Sequence, residues 1–202
     1  MKRTKTLGSR QKHEEELMKN DRKKRQQQGF TFERKRRRET WRPGKEVWET
    51  EQGHIVIESG KFTNKHGVAI IMNSRWKNKI KWVECASERM VAASVSVNKQ
   101  PITLVSAYLP HSGYPDHQVE RTYETMRRVI DKDRNMKIIG GDFNAELGPG
   151  TGIELSSVGQ DTLNKANCRG EWMMQWLLEK KLVALNTMYK KIPHKQVTYH
   201  TP

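Results

Sequence analysis

Cysteine is almost missing from this chain: Cys85 and Cys168 are the only two in 202 residues. Two thiols so far apart make neither a disulfide framework nor a zinc-ligand set. Long apolar runs are missing too. Only 34% of the residues are hydrophobic, and no stretch approaches the roughly 20 apolar residues that cross a bilayer. The opening MKRTKTLGSRQKHEEELMKN is basic but has no apolar segment, so it does not read as a secretory leader. Together these shortages point to an intracellular chain, nuclear or cytoplasmic, not secreted and with no membrane partner. Acids are the last shortage: 23 Asp and Glu stand against 38 Lys and Arg, a formal net charge of +15. Such a chain is drawn to polyanions.

The positive charge is concentrated at one end. Residues 1–45 hold 17 Lys and Arg and 6 Asp and Glu, so most of the excess lies there. Two clusters dominate, DRKKRQQQ with Lys23, Lys24 and Arg25, and ERKRRRETWR with Arg36, Arg37 and Arg38. Few apolar residues lie between them. A segment of this kind cannot bury enough surface to offset its ordering entropy. Residues 1–50 therefore read as a mostly disordered basic arm, and the six named cations are candidates for contact with nucleic-acid phosphates. A solvated charge run is the alternative.

Residues 51–202 have a different texture and read as the domain. HIVIES, GVAIIM, IKWVEC, MVAASVSV and ITLVSAY are short β-branched or alternating runs, the pattern of strands. The period then changes. In DHQVERTYETMRRVIDK the apolar residues Val119, Tyr123, Met126 and Ile130 fall at helical spacing, with Asp116 placed to cap the start. MKIIGG reads as a strand, and RGEWMMQWLLEKK as a second helix with Trp172, Met173, Trp176 and Leu177 on its core face. LVALNT and QVTYH read as two final strands. Many strands with only two inserted helices imply an α+β, layered fold on a mostly antiparallel sheet rather than a doubly wound one.

The segment KIIGGDFNAELGPG carries the clearest chemical signal. A strand that ends in two glycines turns sharply and leaves room for a ligand. Asp142 and Asn144 follow at the carboxyl end of that strand, where sites in layered sheets tend to lie. An ionised Asp can ligate Mg²⁺ or take a proton from water, and an Asn can donate its amide to a phosphate oxygen. If the chain is still extended, residues i and i+2 share a face. The alternative is a plain turn, because Asp, Asn and Gly all form turns.

GGDFNA after an apolar strand resembles the signature of the endonuclease/exonuclease/phosphatase family. Together, VSAYLPHSGYPDHQVERTYETM, IIGGDFNAELGPGTG and NKANCRGEWMMQWLLEKKLVALNTMYKK resemble the endonuclease domain of RTE-type non-long-terminal-repeat retrotransposons. The likeness covers about residues 53–202. It implies a partial four-layer sandwich, two mostly antiparallel sheets flanked by helices, and metal-dependent hydrolysis (nicking) of DNA phosphodiester bonds. It implies Mg²⁺ as the cofactor, DNA as the partner and no small-molecule cofactor. On this likeness Asp142 matches the aspartate that orients or deprotonates the attacking water, Asn144 the asparagine that holds the scissile phosphate, and Tyr108 the strand-end tyrosine near that phosphate. Tyr108 also reads as a core aromatic. His111 and Glu146 match no catalytic position, and Asn164 and Asn167 read as loop residues or caps.

Two family features are not matched. The main metal glutamate should lie before residue 53, where Glu46 has roughly the right offset and Glu39 is a rival. The family also continues past VTYHTP to a buried-strand aspartate and an Asp-His pair. His194 and His200 lie too early to stand in for it. The expectation is a catalytically incomplete domain; the alternative is a non-catalytic, basic nucleic-acid-binding remnant.

Overall fold

The computed structural model describes residues 30–34 (backbone only), 47–59, 67–163 and 165–190. The expected basic contacts at Lys23, Lys24, Arg25, Arg36, Arg37 and Arg38 lie outside these residues. So do Glu39, Glu46, Asn164, His194, His200 and the expected strand QVTYH. The chain is of the α+β class and divides into two compact units. The first comprises the described residues up to Tyr108 together with Arg121–Asp142, and the second Leu109–Glu120 together with the described residues from Phe143 onward.

Two four-stranded sheets make up the first unit. One holds β1 (Phe30–Arg34), β4 (Val68–Met72), β3 (Ile55–Glu58) and β2 (Val47–Glu49) in that spatial order, all antiparallel. The other runs β5 (Ile80–Ser87), β6 (Met90–Val97), β7 (Gln100–Tyr108) and β8 (Met136–Asp142). Its first three strands are joined by short antiparallel turns, whereas β7 and β8 pair in parallel. A parallel pair needs a crossover, and helix α1 (Asp116–Ile130) supplies it.

Alternation along the strands builds the core. Ile55, Ile57, Val68, Ile70 and Met72 from one sheet meet Val91, Ala93, Val95, Leu104 and Tyr108 from the other in a single cluster. Each fully buried aliphatic chain stabilises by roughly 1.5–3 kcal/mol. The opposite face of β6 and β7 carries Ala92, Ser94, Thr103, Val105 and Ala107, also buried. There the turn after α1 is tied to the sheet. The Thr103 hydroxyl donates to the Asp133 carboxylate at 2.9 Å, Lys137 pairs with the same group, and the Asn135 amide donates to the hydroxyls of Ser94 and Thr103. Burial pushes the Asp133 carboxyl up, but hydrogen bonds from Lys137, Thr103 and the Asn135 backbone outweigh it and hold it below its ordinary range.

The helical spacing read from the sequence is borne out in α1, where Val119, Tyr123, Met126 and Ile130 are all buried. Asp116 is itself the first helical residue, not the residue before it. In the second unit, α2 spans Cys168–Lys180. Met173, Trp176 and Leu177 are buried there and Trp172 is half-buried. Asn167 is its N-cap, accepting from the Gly170 N–H at 2.7 Å. The strand expected over LVALNT is not formed. A 3-10 turn occupies Leu185–Thr187, and Ala184 makes one isolated bridge to Val158. Its β-branched content is low, and among the described residues it has only that one bridge as a partner.

Candidate active site

Tyr108 closes β7 and Asp142 closes β8, and the parallel register sets the two side by side. Paired residues of neighbouring strands point to the same face. Leu104 and Tyr108 of β7 belong to the inter-sheet core, so Asp142 takes that same face at the carboxyl end of the sheet. Asp142 is half-buried. Tyr108 is 7% exposed, so it serves as a core aromatic whatever else it does.

Gly141 explains how the strands close up next to this pair. Its φ is +141°, and a Cβ there would fall 1.9 Å from the Ala107 carbonyl oxygen. The glycine therefore leaves room for the backbone of β7, not for a ligand as the sequence pattern suggested. A further residue, absent from the sequence reading, completes the surroundings of Tyr108. The Tyr108 N–H donates to the Arg89 carbonyl at 2.9 Å. The Arg89 guanidinium lies 5.1 Å from the centre of the Tyr108 ring, close enough for a cation–π contact. Arg89 is itself 7% exposed. Its only signal in the sequence is a cation at the head of an apolar strand, a pattern that many surface turns share.

In the second unit, Asn144 has a φ of +48°. The strand has ended at Asp142, so the expectation that Asp142 and Asn144 share one strand face does not hold. Asn is among the few residues that tolerate this left-handed conformation. Its side-chain amide donates to the Leu109 carbonyl at 2.6 Å, which fixes the plane of the carboxamide. Glu146 is exposed, and its backbone bonds to Asn167 in both directions, at 3.2 and 3.3 Å. A Cβ on Gly170 would lie 1.8 Å from the Glu146 carbonyl oxygen, so α2 can begin there only with glycine.

The loop after Tyr108 is also built within this unit. The Gly113 N–H donates to His111 Nδ1 at 3.0 Å, and the His111 ring meets Tyr114 edge-on at 4.7 Å. Arg169, 7% exposed, donates to the Tyr114 carbonyl and to the Asp116 carboxylate, both at 2.8 Å. His111 is thus a loop residue, and the Asp116 carboxylate faces Arg169.

Among the described residues no three His, Cys, Asp or Glu stand together as a metal-ligand set. A bound divalent cation draws several oxygens around it, and among the described residues Asp142 is not part of such a group. Among the same residues no helix is long and apolar enough to cross a membrane.

No protein-family model matches the chain. Solved structures similar to part of the chain include the following two. The endonuclease domain of TRAS1, a telomere-specific non-LTR retrotransposon, matches with a TM-score of 0.42 and 22% identity, over 62% of this chain and 52% of that one. An endonuclease/exonuclease/phosphatase family protein from Leptotrichia buccalis C-1013-b matches with a TM-score of 0.37 and 21% identity, over 48% and 41%. Among curated proteins, the chain is similar to craniofacial development protein 2 of Bos taurus, 24% identical over 153 residues, which is 74% of this chain. The protein of the same name from Tragulus javanicus is 23% identical over 153 residues. The chain spans about a quarter of the length of these curated relatives.

Proposed function

We propose that this chain carries part of an endonuclease/exonuclease/phosphatase-type centre that acts on DNA phosphodiester bonds. One observation carries the reading: Tyr108 and Asp142 stand in register at the carboxyl ends of adjacent parallel strands, with Asp142 inside the stretch GDFNA. The sequence likeness of the three blocks around them supports it.

Each residue has a role that its chemistry allows. The Asp142 carboxylate accepts a proton from the attacking water, or holds that water in line with the phosphorus. The Asn144 carboxamide, set by its bond to Leu109, donates to a phosphate oxygen. The Tyr108 hydroxyl donates to a phosphate oxygen as charge develops there. Dependence on a divalent cation, Mg²⁺ above all, belongs to this proposal. The described residues do not make up the cation's ligand set, and no step is routed through it.

The test is nicking of supercoiled plasmid by the full chain in Mg²⁺ and in EDTA. For an incomplete centre the expected result is weak nicking, confined to Mg²⁺ and falling by a further ~10²–10⁴-fold in Asp142→Asn, the usual loss when a positioned base is removed. Nicking that is equal in wild type and Asp142→Asn would overturn the assignment. A second reading, a non-catalytic nucleic-acid-binding domain, is favoured because no metal-ligand group forms among the described residues. It predicts DNA binding with no nicking above the EDTA control.

A further inference from the structure

Outside the candidate site, the largest undivided run of one charge among the described residues is Arg75–Trp82, RWKNKIKW. It holds four cations and no acid in eight residues. Arg75, Lys77, Lys79 and Lys81 are all exposed. They lie on the 3-10 turn Ser74–Lys79 and on the start of β5, an edge strand of its sheet.

The turn is anchored. Trp76 is 8% exposed and belongs to the inter-sheet core. Above its ring sit two cations, the Lys79 ammonium at 4.9 Å and the Arg75 guanidinium at 5.9 Å from the centre. One indole therefore holds two positive groups near each other that would otherwise splay apart. The neighbouring acids are occupied by other partners. Glu49 takes Lys77 at 2.6 Å, and Glu84 takes Arg128 and Lys132. Among the described residues, neither Lys79 nor Lys81 pairs with a carboxylate.

We infer that this ridge is a second nucleic-acid contact, carried on the folded domain and binding the phosphate backbone through Lys79 and Lys81 with Arg75 beside them. The inference rests on the DNA reading above but not on hydrolysis. Spacing favours it. Ile80 is extended, with φ −72° and ψ 127°. Extended chain advances roughly 3.3 Å per residue, so Lys79 and Lys81 stand roughly 6.6 Å apart on one face, near enough to reach neighbouring phosphates of one strand. Edge-strand lysines also discourage strand pairing, which accounts for Lys81 alone, since Arg75 and Lys79 precede the strand. A membrane surface is less well matched, because Trp76 is buried and the half-buried Trp82 ring is covered by the Lys132 ammonium at 4.3 Å, which leaves little aromatic wedge for the headgroup boundary.

The experiment is fluorescence anisotropy of a labelled DNA duplex with the full chain, in EDTA, at several salt concentrations between about 50 and 200 mM. The variant is Lys79→Gln with Lys81→Gln, and the control is Arg121→Gln, an exposed position on α1 between Glu120 and Glu124. The expected result is a slope of log K against log salt that is shallower by about 2 in the double variant, at about 0.9 per phosphate contact, and unchanged in the control. A double variant with the wild-type slope overturns the inference while leaving the DNA reading standing. A chain that does not bind duplex at the lowest salt overturns both. Anionic phosphatidylserine vesicles form the last arm. Vesicle binding that falls with the same two lysines while duplex binding does not would reassign the ridge to membrane and overturn the inference.

Discussion

The two units hold themselves together by different means. In the first, ladders of strands fix the backbone and one cluster of aliphatic side chains fills the space between two sheets. In the second, side chains hold loops. Arg169 ties down the segment from Tyr114 to Asp116, Asn144 holds Leu109, Asn167 caps α2 and bonds Glu146, and the Thr187 hydroxyl accepts from the Gly159 N–H at 2.8 Å. Ladders with a shared core fail together, whereas loops held by single polar contacts loosen one at a time. Asp142 belongs to the first kind of structure and Asn144 to the second.

The largest effect should come from breaking the strand pairing beside Asp142. Gly141→Ala drives a Cβ into the Ala107 carbonyl. Loss of roughly 3 kcal/mol or more is expected, near the top of what single substitutions cost. A thermal melt reads it, and a Tm within a degree or two of wild type would mean that β7 and β8 do not close as described. Next comes the core. Ile57→Ala, at a fully buried position, should cost about 2–5 kcal/mol in denaturant unfolding.

The Asp133 network gives a pH-dependent effect. Its folded carboxyl lies below the unfolded value of 3.8. The stability it supplies is therefore present above that value and lost as pH falls through the lowered one. Asp133→Asn should cost about 2 kcal/mol at neutral pH, as when one partner of a part-buried network is removed. It should also flatten the acid limb of the stability curve below about pH 4. An unchanged acid limb would remove Asp133 from the account.

The smallest effect tests the second unit. Asn167→Ala should cost about 1 kcal/mol, the usual value of an N-cap. Hydrogen exchange should speed up around α2 and residues 143–150 and leave β3, β4, β6 and β7 unchanged. Equal acceleration in both units would erase the contrast between them.

That contrast also explains what could be read in advance. Alternation in MVAASVSV and ITLVSAY and the 3.6-residue spacing in α1 are direct imprints of burial, so β6, β7 and α1 stand in the pattern of the residues. Asp142 and Tyr108 were visible as motif residues, and their pairing follows once β7 and β8 are parallel neighbours. The second unit leaves weaker marks. LVALNT reads as a strand, yet a 3-10 turn takes its last three residues, and among the described residues only an isolated bridge to Val158 lies beside it. Gly141 and Gly170 look like turn glycines in sequence, and only the neighbouring carbonyls reveal why no side chain fits. Arg89 could not be singled out, because its contact with Tyr108 crosses from the head of one strand to the end of another.

The measurement that tests the account most directly is a double-mutant cycle on nicking rate in Mg²⁺, with Asp142→Asn, Tyr108→Phe and the pair. If the two residues serve one centre, Tyr108→Phe alone should cost about 10²-fold, as loss of one oxyanion donor does. The pair should then be no slower than Asp142→Asn alone, because residues that act as a unit are not lost twice. Losses that multiply in full, or a Tyr108→Phe protein as fast as wild type, would mean that the register bringing Tyr108 and Asp142 together serves the fold and not the chemistry.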